Sequence, residues 1–345
     1  MIVTLTPNPG LDRTLQLDKL VRGSVNRAAG GRVDPGGKGI NVSRALASHG
    51  IKTTAVVPLG GPDGSVLSEL LAATGVTVRA VRVAGGTRTN VTVAEPDGTT
   101  TKLNEPGPEL SAAEIAELVA TVLDAATPGT WVVGCGSLPL GVPVTFYADL
   151  IAPLHARGAK VVIDSSGAAM RAVLAGTGDA LPDLIKPNLE ELMEAVGRRL
   201  PTLGAVVEAA QELRTRGVAT VLTSLGADGA VLVGAAGAVY GEARVDQPLS
   251  TVGAGDALLA GYLSRAAEPD VTRTGPTAAD PTTPHPTNSS PADRARECLT
   301  AALAWGAAAT SLPGSRMPAP DDVAAVAVTI HDHVDAGRLL EGDPR

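Results

Sequence analysis

The chain has 345 residues, 44% hydrophobic and 19% charged, with 40 Gly and 26 Pro, which excludes a wholly disordered polypeptide and demands many turns. Its 36 acidic side chains outnumber 28 basic ones for a net charge of −8, so a broad electrostatic grip on nucleic acid is excluded. The aromatic residues, one Phe, three Tyr and two Trp, are too few for base-stacking platforms.

Met1-Ile2-Val3-Thr4-Leu5 reads as a strand that reaches Pro7 at once, without the basic start and apolar stretch of a signal peptide. No apolar run approaches the roughly 18 residues of a membrane span. The two cysteines, Cys135 and Cys298, form neither a disulfide framework nor a zinc spacing and read as small core residues. A cytoplasmic location is expected. Residues 11–29 then alternate polar with apolar side chains. Pro35-Gly36-Gly37-Lys38-Gly39 leads into the helical Ile40-Asn41-Val42-Ser43-Arg44-Ala45-Leu46. Glycines let the backbone approach a ligand, and a helix start offers unpaired N–H groups. The segment is not a Walker A loop, because Gly39 stands where Ser or Thr belongs; a plain turn before a helix fits it equally well.

An apolar strand follows at 53–57. Residues 77–105 alternate again, with Pro96-Asp97-Gly98 as a turn between 90–94 and 99–103. Together with 11–29 this predicts a small antiparallel sheet beside the main body. Residues 111–126 carry a capping box, Ser111 with Glu114, and Ile115, Leu118, Val119, Val122 and Leu123 fall on one helical face. Further apolar strands lie at 131–133, 160–164 and 220–223. Such strands alternating with amphipathic helices predict a mostly parallel sheet covered on both faces.

After Leu184-Ile185 comes Lys186-Pro187-Asn188-Leu189-Glu190-Glu191. Asn188 and Glu191 share a face at a helix start, and they suit either a hydrated Mg²⁺ or a capping box. Residues 223–230 read as strand-turn-strand, an ordinary hairpin or a surface for a nucleotide. In Ser250-Thr251-Val252-Gly253-Ala254-Gly255-Asp256 the glycines at a helix start can aim N–H groups at a phosphoryl group, with Asp256 as proton acceptor or merely as cap. Residues 267–293 hold six Pro and six Thr, with Val271 the one sizeable apolar side chain. They read as a flexible insertion, with helix resuming over 293–312.

Two of these segments combine as Gly-Gly-Lys-Gly-x-Asn from Gly36 to Asn41 and Thr-x-Gly-Ala-Gly-Asp from Thr251 to Asp256. On them the sequence resembles the ribokinase-like (PfkB) sugar kinases over nearly its whole length, from Thr4-Leu5-Thr6-Pro7-Asn8-Pro9 and Asp12 to Ala304-Trp305-Gly306. Within that family it is similar to the branch acting on already phosphorylated ketohexoses. Asn8-Pro9-x-Leu11-Asp12-Arg13-Thr14, Asp34-Pro35-Gly36-Gly37-Lys38-Gly39, Thr87-Arg88-Thr89-Asn90-Val91 and Lys102-Leu103-Asn104-Glu105-Pro106-Gly107 carry that similarity.

The resemblance implies an α/β, three-layer ribokinase-like fold with a mostly parallel central sheet and a small β-sheet lid. The core is expected at 1–10, 30–76 and 106–345, with 267–293 inserted, and the lid at 11–29 and 77–105. The lid's exposed strands suggest a homodimer through paired lids. By resemblance Asp256 is the base, and the N–H groups of Ala254, Gly255 and Asp256, after Gly253, form the anion hole. Lys186, Ser224, Gly226 and Thr251 meet ATP, and Asn188 and Glu191 hold Mg²⁺ through water. Asp12 and Asn41 fix sugar hydroxyls, Gly37 lies in the substrate site and Ser137 near the substrate. Arg27, Lys38, Arg88 and Lys102 are the cations available for the substrate's own phosphate. The implied reaction carries the γ-phosphoryl of MgATP to the 6-hydroxyl of fructose 1-phosphate. The alternatives are tagatose 6-phosphate or fructose 6-phosphate as acceptor, or a catalytically silent sugar-phosphate-binding regulator. Cys135 departs from the family pattern, standing where a small hydroxyl residue is expected, and the insertion falls near the adenine region.

Overall fold

Short β-branched runs and capped amphipathic helices alternate along the chain. The computed structural model describes residues 1–245, 248–268 and 290–341. In chain order the elements are β1 (Ile2–Leu5), β2 (Gly10–Gln16), β3 (Gly30–Gly36), α1 (Lys38–Ser48), β4 (Thr53–Leu59), α2 (Gly61–Ala72), β5 (Thr77–Arg82), β6 (Arg88–Ala94), β7 (Thr100–Leu103) and α3 (Ala112–Ala125). Then come β8 (Trp131–Cys135), α4 (Phe146–His155), β9 (Lys160–Asp164), α5 (Gly167–Leu174), β10 (Leu184–Ile185), α6 (Leu189–Val196), α7 (Leu203–Arg216), β11 (Thr220–Ser224), β12 (Ala230–Gly234) and β13 (Gly237–Ala243). α8 (Ala254–Ala266), α9 (Pro291–Thr310), α10 (Pro320–Ala324) and β14 (Val328–Ile330) complete the described chain.

Ten strands form the central sheet in the order β14-β13-β12-β11-β10-β9-β8-β1-β4-β5. The run from β11 to β5 is parallel, and β12 to β14 extend it antiparallel. β1 lies between β4 and β8 and is buried along its length, as a parallel strand covered on both faces must be. One face is covered by helices α3 to α7, with Leu118, Val122, Leu150, Ile151, Val206 and Leu213 in its core. The other is covered by α1, α8 and α9, through Leu46, Leu259, Leu263, Leu299 and Leu303. Each such side chain taken out of water contributes about 2 kcal/mol. α3 carries the expected capping box: Ser111 Oγ accepts from Glu114 N, and Glu114 closes back on Ser111.

Four strands form the smaller sheet in the order β3-β2-β6-β7, and here two expectations need correction. The sheet is mixed, since β2 pairs with β6 in parallel. Its boundaries also differ. β5 pairs with β4 as an edge of the central sheet, whereas 30–36 joins the smaller one as β3. Alternation misleads at β5 because an edge strand of the large sheet also has one wet side. The glycines and proline of β3 hide a strand that close packing requires, since a Cβ on Gly36 would come within 2.4 Å of the Asp12 carboxylate. The turn at 96–98 is present, closed by Glu95 N donating to Thr99 O at 2.9 Å.

α9 begins at Pro291, with Ser290 and Asp293 as its capping box, two residues earlier than expected. Most of the 267–293 insertion lies outside the described residues, while Ala267 and Glu268 close α8. Cys135 and Cys298 are both buried and free. Among the described residues no helix is long and apolar enough to cross a membrane.

Candidate active site

The chemistry-bearing residues follow the carboxyl ends of β1, β8, β9, β10 and β11, or open α1 and α8, so the topology brings them to one rim of the parallel sheet. Asp256 sits in the first turn of α8 and is buried. The turn is reached through Gly253 at φ 80, a left-handed conformation open to glycine, where a Cβ would also stand 2.8 Å from Met317 Cε. Asn41, from α1, donates its Nδ2 to Asp256 Oδ2 at 2.9 Å. Burial first, and then the neighbouring Asp164 carboxylate, push Asp256 up to about 6. That suits a group that must take up a proton.

Asp164, the last residue of β9, is fully buried between two ammonium groups. Lys38 Nζ lies 2.8 Å from its Oδ1, and Lys186 Nζ 3.3 Å from its Oδ2. Burial pushes the Asp164 carboxyl up, but the two lysines outweigh this and hold it below the usual range. Lys38 also stands 3.8 Å from Glu191 Oε1, and its ammonium is stabilised by both carboxylates against the cost of burial. Lys38 was expected among the cations around the substrate's phosphate; it turns inward to the Asp164 and Glu191 carboxylates. Asn41 likewise faces Asp256. The Ala254 N–H donates to Thr251 O at 3.3 Å, so of the expected anion hole the Gly255 and Asp256 N–H groups are left at an uncapped helix end.

On the acceptor side, Asp12 accepts from Asn90 Nδ2 at 3.0 Å across the β2–β6 pair. Its carboxyl is raised by burial, partly offset by Asn90 and Arg88. Arg88 donates Nη1 to Glu105 O and Nη2 to Asn8 O, both at 3.0 Å, and its buried Nε has no partner. Asn8 Nδ2 reaches Pro106 O at 3.0 Å and Ser137 Oγ at 3.4 Å, while its Oδ1 is buried without a partner. Among the described residues these buried polar atoms are left without a hydrogen-bond partner, which is uncommon in a folded interior. Gly37 caps α1 beside them. Lys102 is exposed on the Asp12 face of the smaller sheet, paired with Thr92. Arg27 lies in the exposed connection between β2 and β3, and no hydrogen bond or ion pair among the described residues draws it in.

A cavity of about 650 Å³ opens at the start of α8, lined by Asn188, Ser224, Gly226, Thr251, Ala254 and Gly255 among others. Asn188 and Glu191 form the capping box of α6: Glu191 N donates to Asn188 Oδ1 at 2.8 Å, and Asn188 N to Glu191 Oε2 at 2.9 Å. Glu191 Oε1 is left toward Lys38. Among the described residues no group of three or more His, Cys, Asp or Glu is clustered to hold a metal. The oxygen donors of Asn188 and Glu191 fit contact with a hydrated Mg²⁺ through water, since this hard cation prefers oxygen ligands and keeps several waters.

The model of the pfkB family carbohydrate kinases matches residues 10–322. The chain belongs to that family. A 1-phosphofructokinase of Rhodobacter capsulatus is 40% identical over 269 residues, covering 77% of this chain and 83% of that protein. Phosphofructokinase-2 of Escherichia coli, solved with substrates and products, superposes with a TM-score of 0.82 at 33% identity over 94% of this chain and 97% of its own. That enzyme has also been solved with fructose 6-phosphate and as a tetrameric inhibited form. A Thermotoga maritima ribokinase shares the fold, with a TM-score of 0.69 at 19% identity over 94% of this chain and 98% of that one.

For a pfkB kinase, three parts of this site escape motif reasoning. Asp164 joins both lysines, yet its one signal was a carboxylate ending an apolar strand of a parallel sheet. Asn8 and Asn90 stand inside recognised motifs without assigned roles. The part of the cavity wall formed by Leu258 and Leu303 comes from helix interiors, where apolar residues read as core.

Proposed function

We propose that this pfkB kinase transfers the γ-phosphoryl group of MgATP to the 6-hydroxyl of fructose 1-phosphate, giving fructose 1,6-bisphosphate and ADP. The observation that carries the reading is the buried Asp256, held by Asn41 and directly following Ala254 and Gly255, which line a cavity of about 650 Å³. Asp256 orients the acceptor hydroxyl and takes its proton as the O6–P bond forms and the bond from the γ-phosphorus to the β,γ-bridging oxygen breaks. Lys38 and Lys186, held by Asp164, and the Gly255 and Asp256 N–H groups stabilise charge on the transferring group. Asn188 and Glu191 would hold Mg²⁺ through water, and the ion would supply charge neutralisation for the phosphoryl transfer. Ser224, Gly226 and Thr251 border the nucleotide; Asp12 binds sugar hydroxyls, and Arg88, with Ser137 nearby, takes the substrate's own phosphate. We further propose a cytoplasmic homodimer paired through the smaller sheet.

The 1-phosphofructokinase relatives favour fructose 1-phosphate; the phosphofructokinase-2 likeness favours fructose 6-phosphate as a second reading. A coupled assay of ADP release with fructose 1-phosphate, fructose 6-phosphate and tagatose 6-phosphate decides between them. The highest kcat/KM is expected for fructose 1-phosphate. A preference for another acceptor replaces the first reading, and no turnover with any of them leaves a silent regulator.

A further inference from the structure

We infer that Arg44 is a positioning residue for the base: it fixes the orientation of the Asn41 side-chain amide, and through it holds Asp256 with one carboxylate oxygen satisfied and the other open to the acceptor hydroxyl. Arg44 follows Asn41 by three residues on α1, so the two side chains share a face. Its Nη1 lies 3.2 Å from Asn41 Oδ1, 3.0 Å from Pro35 O and 3.2 Å from Ser315 O. A guanidinium only donates. The oxygen of the Asn41 amide must therefore face Arg44, and its nitrogen must face Asp256 Oδ2, at 2.9 Å. The reversed amide would set N–H against N–H on one side and oxygen against carboxylate on the other. Arg44 is itself anchored by main-chain carbonyls from the end of β3 and from the loop after α9, with Asp34 and Asp12 as nearby counter-charges.

The inference rests on Asp256 acting as the base. Asp256 is faced by Asp164 from β9, Lys38 from the start of α1 and Lys186 from the segment after β10, besides Asn41. Arg44→Met leaves these groups in place but removes a cation, so the comparison with the Asn41→Leu background separates loss of its charge from loss of the amide's orientation. Arg44→Met is expected to lower kcat about tenfold, leave the KM for MgATP within about twofold, and move the acid limb of kcat to higher pH, because a freed Asn41 no longer secures the ionised carboxylate. In an Asn41→Leu background the same change is expected to add nothing to kcat or the limb. Additive losses, or an unmoved limb in a folded Arg44→Met protein, overturn the inference. Should that variant not fold, Arg44→Gln, which keeps side-chain N–H groups for the main-chain carbonyls, takes its place: its acid limb is expected to rise with Asn41 present and not in the Asn41→Leu background, and an equal rise in both overturns the inference. Asp256→Asn, assayed alongside, separates the two claims. If it turns over normally, the base assignment falls; if it is inactive while the Arg44 results fail, the positioning role alone is lost.

Discussion

Asp256 is not the cap the sequence allowed, since Gly253 is the N-cap of α8 and no side chain caps it; Asp256→Asn therefore tests the base, because Asn keeps the size and the bond from Asn41 but cannot take a proton. We expect kcat to fall by about 10² or more, with substrate binding retained. The same change bears on stability. With its folded pKa raised to about 6 against 3.8 for the free group, Asp256 costs nothing below about pH 4; its penalty grows as the pH rises to about 6 and is constant above. The thermal midpoint of Asp256→Asn should therefore exceed that of the native protein at pH 8 by roughly 2 °C or more, and the gain should vanish towards pH 4. Activity of the native protein should fall away below about pH 6. Arg88→Ala is expected to raise the KM for the sugar phosphate at least about tenfold with the KM for ATP unchanged, as loss of one charge-assisted contact implies; weakened ATP binding in its place would misplace the smaller sheet. Asp256 and Lys186 were legible as candidates because each stands in a short motif beside glycines or Pro-Asn, whereas Arg88 was singled out through the family resemblance alone. Asp164 and the inward turn of Lys38 were not, because an ion pair between residues 126 apart in sequence leaves no local pattern.

Helix α6 opens on the Asn188–Glu191 capping box, with both bonds made, while the second Glu191 oxygen, Oε1, is ion-paired with Lys38 at 3.8 Å. Glu191→Gln preserves the box, since Gln serves at the same position, but removes the charge. The thermal midpoint should shift by less than about 2 °C, while the Mg²⁺ concentration for half-maximal rate should rise about tenfold or more. An unchanged Mg²⁺ requirement would reduce the pair to capping alone. Elements with a strong period or a cap, such as α3 and α9, could be read from sequence to within two residues. β3 and β5 could not, because strand propensity and alternation say that a segment is extended but not which sheet accepts its hydrogen bonds.

At the scale of the whole molecule, Leu103 is 61% exposed at the edge of the smaller sheet, a position a second subunit would cover. Sedimentation at micromolar concentration should show a dimer, and Leu103→Asp should shift it towards monomer; a fully active native monomer would defeat the lid-paired assembly. The order of assembly within one chain follows from the parallel β2–β6 pairing. Asp12 and Asn90 meet across 78 residues of sequence, and β4, α2 and β5 lie between them in the chain. Such a contact closes only after the intervening units have ordered, because the entropy of the long loop must already be spent. A refolding chain should thus close its local pairs first, β8 on β9 and β11 on β12, and join β2 to β6 later. Pulse-labelled hydrogen exchange should find the amides that join β2 to β6 protected after those of β11 and β12, and simultaneous protection would show that the two sheets fold as one unit.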